Sequence, residues 1–258
     1  MIIDGRKIAQ RILESLNPAN KLRLAAVLVG QNPELKKFIE LKKKAAEGIG
    51  IDFQVYEFPE DIANDELEKE LNKIAQTETN NGVIIELPLP THLDTQHLLN
   101  LIPEEKDVDV LSQKSQDDFL SGKIKVLPPA VEAVKQIFEE YNIETKGKKA
   151  AVFGYGLLVG KPVSHWLTQQ RAIVSIITED TKEPEKISKK ADIIISGVGQ
   201  PNLITKNMVK EGVVVIDFGK DVDFEEVSKQ AGLITPPVGG IGPIVVVAVL
   251  KNLVELNS

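Results

Sequence analysis

The stretch Ala150-Ala151-Val152-Phe153-Gly154-Tyr155-Gly156-Leu157-Leu158-Val159-Gly160 decides how this chain is read. A short apolar run stops at a glycine turn, and a helix containing His165, Trp166 and Leu167 opens directly behind it. Glycines at such a turn let the backbone approach a pyrophosphate, whose charge the helix N-terminus favours. Alone, the turn is weak evidence and is also compatible with a plain strand-to-helix connection. The next predicted strand, Ile173 to Ile177, ends at Thr178-Glu179-Asp180. That is about 20 residues past the last glycine, where a carboxylate can accept hydrogen bonds from an adenosine ribose. The same carboxylate repels a 2′-phosphate, so the pattern favours NAD over NADP. The bland reading is a solvated charged loop that runs on through Lys182 and Glu183.

Working outward, further strands are predicted at Ile193 to Ser196, Val213 to Asp217 and Leu233 to Ile234. Upstream, Pro128, Pro129, Val131, Val134, Ile137 and Phe138 mark a long helix over Leu127 to Ile143 that joins two halves. The first half alternates in the same way. Strands are expected at Leu24 to Val29, Phe53 to Phe58 and Val83 to Leu87, and helices at Pro33 to Ile49 and Asp65 to Gln76. Ile8, Ile12, Leu13 and Leu16 form an earlier helical stripe, and Gly242 to Leu256 is an apolar terminal helix able to pack back on the first half. Alternating strand and helix is the mark of parallel sheets flanked by helices. The expectation is therefore an α/β chain of two domains: residues 1–126 with 242–258, and a Rossmann-like domain over residues 127–241.

Composition narrows the chemistry. With no cysteine among 258 residues, disulfides, thiolate zinc sites, iron–sulfur clusters and cysteine nucleophiles are excluded. The three histidines form no HExxH pattern, so no metal site is expected. A net charge of −7 gives no basic surface for phosphate backbones, and nucleic acid is not an expected partner. Met1 to Arg6 lacks the apolar core of a signal peptide, and Ile244 to Leu250 is too short to span a bilayer, so a cytoplasmic protein with no membrane partner is expected.

Five motifs in order then carry a resemblance. Leu28-Val29-Gly30 with Pro33 and Lys42-Lys43-Lys44-Ala45 comes first, and Glu86-Leu87-Pro88-Leu89-Pro90 with His92 second. Lys106-Asp107-Val108-Asp109 is the third, and Val159-Gly160-Lys161-Pro162 the fourth. Thr235-Pro236-Pro237 with Gly239-Gly240-Ile241-Gly242-Pro243 closes the series. Together they resemble the bifunctional methylenetetrahydrofolate dehydrogenase/cyclohydrolase family, commonly called FolD. The resemblance implies oxidation of 5,10-methylenetetrahydrofolate by hydride transfer to NAD(P), hydrolysis of the methenyl product to 10-formyltetrahydrofolate, tetrahydrofolate derivatives as ligands, and a homodimer. It assigns proton transfer to Lys42, assisted from position 86, and a pterin hydrogen bond to Asp109. It places Phe38 as a stacking surface and Leu87, Pro88, Gly239, Gly240, Ile241, Gly242 and Pro243 around the substrate. Coenzyme contacts are expected from Gly154, Tyr155, Gly156, Val159, Gly160, Thr178, Glu179, Asp180 and Gly199.

The departures from the family pattern are specific. Phe38 replaces a tyrosine and has no phenol to orient Lys42 or relay a proton. Glu86 replaces a neutral glutamine; in contact with Lys42 it would favour the ammonium form and make the lysine a poorer base, unless Glu86 itself takes over the proton. Val110-Leu111-Ser112-Gln113 stands for Gly-Phe-His-Pro, Pro128-Pro129-Ala130-Val131 for Pro-Cys-Thr-Pro, and the return from Gly219 to Asp223 is short. At the coenzyme, Gly154-Tyr155-Gly156 replaces Gly-Arg-Ser and Thr178-Glu179-Asp180 replaces His-Ser-Arg, so donors for a 2′-phosphate are gone and carboxylates have arrived.

Read without the family, Lys42 is one of a run of solvated helix lysines, and Asp109 is equally a helix cap. Glu86 ends so apolar a strand that it should face a cleft or a cation. The alternatives for the whole chain are a catalytically silent folate- or partner-binding relative, and a dehydrogenase of the same architecture with another small substrate.

Overall fold

The computed structural model describes residues 1–18 and 20–258. Two compact units emerge, Arg11–Pro129 with Val246–Ser258, and Met1–Gln10 with Ala130–Val245. The elements run α1 (Gly5–Ser15), β1 (Arg23–Val29), α2 (Pro33–Glu47), β2 (Asp52–Phe58), α3 (Asn64–Gln76), β3 (Gly82–Ile85), α4 (Thr95–Leu99) and α5 (Gln113–Leu120). They continue with α6 (Pro129–Glu140), β4 (Lys149–Phe153), α7 (Gly160–Gln169), β5 (Ile173–Ile177), α8 (Pro184–Ser188), β6 (Ile193–Ser196), β7 (Val214–Asp217), α9 (Phe224–Val227), β8 (Leu233–Ile234) and α10 (Ile241–Leu256).

In the unit built on Arg11–Pro129 the strand order is β2-β1-β3, all parallel. β1 lies in the middle, and Leu24 to Val29 are buried without interruption because helices cover both faces of such a sheet. Leu24, Ala26 and Leu28 pack with Leu35, Ile39 and Ala46 of α2 and with Val249, Leu250 and Leu253 of α10. The terminal apolar helix thus does return to the first half, as its composition suggested. The other unit has the parallel order β5-β4-β6-β7-β8, with β4 beside both the glycine-turn neighbour β5 and the crossover partner β6.

Backbone contacts set the grouping at the N-terminus. Residues 1–10 group with the second unit because their backbone is hydrogen-bonded there. Ile3 N–H donates to Ile234 O (2.8 Å), Ile234 N–H to Met1 O (3.0 Å) and Gly5 N–H to Gly239 O (3.1 Å). The Met1 amino group adds a bond to Gly232 O at 2.8 Å. The Ile8/Ile12 stripe announced a helix but not its partner. β3 is also shorter than expected: Glu86 N–H still reaches Val27 O at 3.0 Å, and the next residues are Leu87 and Pro88, the latter with no N–H to continue the ladder.

One side chain of α10 fastens the segment that carries Asp109. Asn252 is fully buried, and its amide donates to Val108 O and Leu127 O, both at 2.8 Å. Replacing it with alanine strands one buried carbonyl, at Val108, and one partly buried, at Leu127. We expect Asn252→Ala to lose about 2–4 kcal/mol of stability in urea unfolding, since each unsatisfied buried acceptor costs about 1–3 kcal/mol.

Candidate active site

Helix α2 starts at Asn32, whose side chain accepts the Glu34 N–H, with Pro33 in the first turn. Its inward stripe is Leu35, Ile39, Lys42 and Ala46. Lys42 therefore occupies a core position of the helix, whereas Lys44 is exposed and Lys43 only partly covered. That distinguishes it from a solvated lysine. An ammonium on an apolar face needs a partner, and the partner is Glu86, the first residue beyond β3. Lys42 Nζ lies 2.6 Å from Glu86 Oε1, with side-chain exposures of 11% and 6%.

The third member arrives on the segment after α4. Asp107 pairs with Val83 of β3 in an isolated parallel bridge, which brings the backbone alongside the strand. Its carboxylate accepts the N–H groups of Leu111 (3.1 Å) and Ser112 (2.8 Å), closing a turn in which Val110 has φ +59°. Lys106 ties the same segment to the end of α3 by donating to Ala75 O and Thr77 O. Between them stands Asp109. It is not a helix cap: Ser112 caps α5 by accepting the Ser115 N–H. Burial pushes the Asp109 carboxyl up to about 7; Lys42 opposes the rise, and Glu86 and Asp107 add to it.

The site thus combines an ammonium, a carboxylate bonded to it, and a second carboxyl that holds its proton to near neutrality. Phe38 sits one helical turn before Lys42 with 44% of its surface exposed, so its ring is available to a flat ligand. Leu87 is partly buried and Pro88 exposed at the mouth of the same strand end.

In the other unit, β4 ends at Gly154, whose φ of +83° requires glycine and whose N–H donates to Ile177 O at 2.8 Å. A Cβ on Gly160 would stand 2.3 Å from Gly154 O, so only glycine lets α7 start against this turn. Nothing lies within 4 Å of where a Cβ on Gly156 would be, and the first turn of α7 carries no acid. Open space at a helix N-terminus without a competing carboxylate fits the pyrophosphate of a dinucleotide. Tyr155 and Val159 line the same turn, Tyr155 half exposed. At the end of the adjacent β5, Thr178 N–H donates to Thr181 Oγ1 and Thr181 N–H to Thr178 O, closing a turn with Glu179 and Asp180 exposed on it. Gly199, with φ +82°, follows β6, the other neighbour of β4.

Residues 3–109 match the catalytic domain, and residues 128–258 the NAD(P)-binding domain, of tetrahydrofolate dehydrogenase/cyclohydrolase. The chain belongs to this family. It is 39% identical to the bifunctional protein FolD of Nautilia profundicola over 98% of this chain and 96% of that one. The FolD crystal structure from Campylobacter jejuni superposes with a TM-score of 0.93 at 34% identity, covering 99% and 98% of the two chains. The Trypanosoma brucei FolD complexed with NADP and inhibitor does so with a TM-score of 0.95 at 28% identity, covering 99% and 96%. The two-domain α/β architecture and the Rossmann-like coenzyme domain of the FolD family are thereby those of this chain.

Lys42, Glu86 and Asp109 come together within the unit that spans Arg11–Pro129, while Gly239 to Pro243 belong to the other unit at the start of α10. Sequence reasoning overlooked Asp107, whose buried carboxylate shapes the turn that presents Asp109. The signal available was an acid next to an apolar Val108. Among the described residues, no group of His, Asp and Glu is arranged to hold a metal ion, and no helix is long and apolar enough to cross a membrane.

The raised Asp109 has a consequence for stability. Its protonated form favours the fold fully at pH values below the usual carboxylate range, and that contribution disappears as pH rises through about 7. We expect Asp109→Asn to melt above the parent chain at pH 8, by up to about 4 kcal/mol, and close to it at pH 4. An equal difference at both pH values in a thermal melt would contradict the assignment.

Proposed function

We propose that this family member is an NAD-preferring 5,10-methylenetetrahydrofolate dehydrogenase whose hydrolysis of the methenyl product is held down by the Lys42–Glu86 ion pair. The observation that carries this reading is the buried 2.6 Å contact between these two side chains. A lysine whose ammonium is already donating to a carboxylate has little freedom to take a proton from water attacking the one-carbon unit. Phe38 cannot help it, having no hydroxyl. The oxidation makes no such demand: the protein needs to hold the two rings face to face, and the bound nicotinamide supplies the hydride acceptor.

In this reading Phe38 stacks on the pterin, Asp109 hydrogen-bonds it, donating while protonated, and Leu87 and Pro88 complete the folate contacts of this unit. The dinucleotide lies along Gly154, Tyr155, Gly156, Val159 and Gly160, with Thr178, Glu179, Asp180 and Gly199 about its adenosine and nicotinamide ends. Two exposed carboxylates at the end of β5, with no arginine in either turn, support NAD, because they suit a free ribose hydroxyl and repel a phosphate there. Family likeness further supports a cytoplasmic homodimer.

Paired assays on one preparation test this. With methylenetetrahydrofolate, NADH formation should exceed NADPH formation, and the double variant Glu179→Gln/Asp180→Asn should shrink that ratio about tenfold, the loss expected when a charged pair of ribose contacts is neutralised. Silence with both coenzymes would sink the enzyme reading.

Glu86→Gln should raise methenyltetrahydrofolate hydrolysis by at least about tenfold, within the range that a positioned general base contributes, and leave NADH formation within about threefold. A fall in hydrolysis instead would make Glu86 the proton carrier and invert the proposal.

A further inference from the structure

A buried acid that the chemistry above leaves unused lies next to the coenzyme turn. At the last residue of β7, Asp217 Oδ1 accepts the N–H groups of Gly219 and Asp221, and Oδ2 that of Val222, all at 3.0 Å. These bonds fold Phe218–Val222 into a tight return, with Lys220 at φ +58°. The return carries Asp221, which is fully buried, to the end of β6. There Asp221 Oδ2 accepts Ser196 Oγ–H at 2.5 Å and Val198 N–H at 2.8 Å, and Oδ1 accepts Gln200 N–H at 2.7 Å.

One carboxylate therefore satisfies three donors, two of them backbone groups of the glycine-bearing segment Gly197–Gln200. Gly219 touches the same place: a Cβ there would lie 2.6 Å from Gly199 N and 2.6 Å from Asp221 Oδ1. That segment in turn packs on the glycine turn, since a Cβ on Gly197 would be 2.9 Å from Val159 Cβ, and one on Gly154 would be 3.2 Å from Val198 Cγ2. The chain of contacts runs from the short return, through Asp221, to the wall that faces the turn at the end of β4.

We propose that Asp221, seated by Gly219, is a positioning residue for the dinucleotide, holding the Gly197–Gln200 backbone in its ligand-ready form. The inference rests on reading Gly154–Gly160 as the coenzyme turn. Two glycines make Gly197–Gln200 intrinsically loose, and a loop ordered beforehand does not have to be ordered when the ligand binds. An asparagine at 221 can accept on one side only, so its amide NH₂ would confront one of the two backbone N–H groups.

Calorimetric titration with NAD, steady-state kinetics and thermal melts on four variants test the proposal. Asp221→Asn and Gly219→Ala should each weaken NAD binding about tenfold, the effect of about one lost buried hydrogen bond. The KM for methylenetetrahydrofolate and kcat at saturating NAD should stay within about twofold, a split that a merely structural role would not produce. If Asp221→Asn does not fold, Gly219→Ala and the milder Ser196→Ala decide the matter by the same split. Gly156→Val, whose Cβ meets nothing within 4 Å, reports on the turn itself. Should Gly156→Val bind NAD as the parent does, the coenzyme reading fails first. Should Gly156→Val lose NAD while folded Asp221 and Gly219 variants bind it normally, the positioning role is overturned.

Discussion

An ammonium and a carboxylate 2.6 Å apart, both almost out of reach of water, form a contact that neither partner can leave cheaply. Removing one member of such a pair typically costs about 3–5 kcal/mol, because the other remains buried and uncompensated. This contact fixes which face α2 turns toward the end of β3, since Lys42 shares the inward stripe with Leu35, Ile39 and Ala46. It also sets the electrostatic balance around Asp109, on which Lys42 and Glu86 act in opposite directions. Burial, with the pair acting on it in opposite directions, leaves a carboxyl that keeps its proton until the pH approaches about 7, beside a lysine already engaged.

The two units use the same device for different ends. In each, a carboxylate close to a strand end bonds backbone N–H groups and so shapes a short turn, leaving a second acid on that turn free to do something else. Asp107 holds Leu111 and Ser112 and thereby presents Asp109. Asp217 holds Gly219, Asp221 and Val222 and thereby sends Asp221 to the loop after β6. Carboxylates suit this work because each oxygen accepts more than one bond, and charge-assisted bonds to backbone N–H groups are strong. Parallel strands end on one edge of a sheet, so turns built this way gather where ligands bind in α/β folds.

The strands were largely legible because buried parallel strands are uninterrupted apolar runs bounded by glycine, proline or charge, as Leu24 to Val29 is. The long helices declared themselves by periodicity. α5 did not, because Gln113–Leu120 buries only Ser115 and Phe119 and owes its start to the Ser112 cap rather than to an apolar stripe. The end of β3 was placed too late, since Glu86 keeps one ladder bond while Leu87 and Pro88 leave the sheet. The backbone bonds of residues 1–10 to Gly232, Ile234 and Gly239 were not legible for a related reason: they leave no pattern in the side chains.

By itself, the sequence determined the alternation of strand and helix, the glycine turn after Phe153, the order of five family motifs, and the chemical nature of the substitutions at Phe38, Glu86, Glu179 and Asp180. Those are properties of residue type and spacing, and they survive without coordinates. Only the tertiary structure decided that Lys42 and Glu86, 44 residues apart, touch, that Asp109 is desolvated and is not a cap, and that Asp221 reaches the loop beyond β6. Contact and burial depend on distances across the fold, and the interaction of two charges changes severalfold with the medium around them. A one-dimensional pattern holds neither quantity.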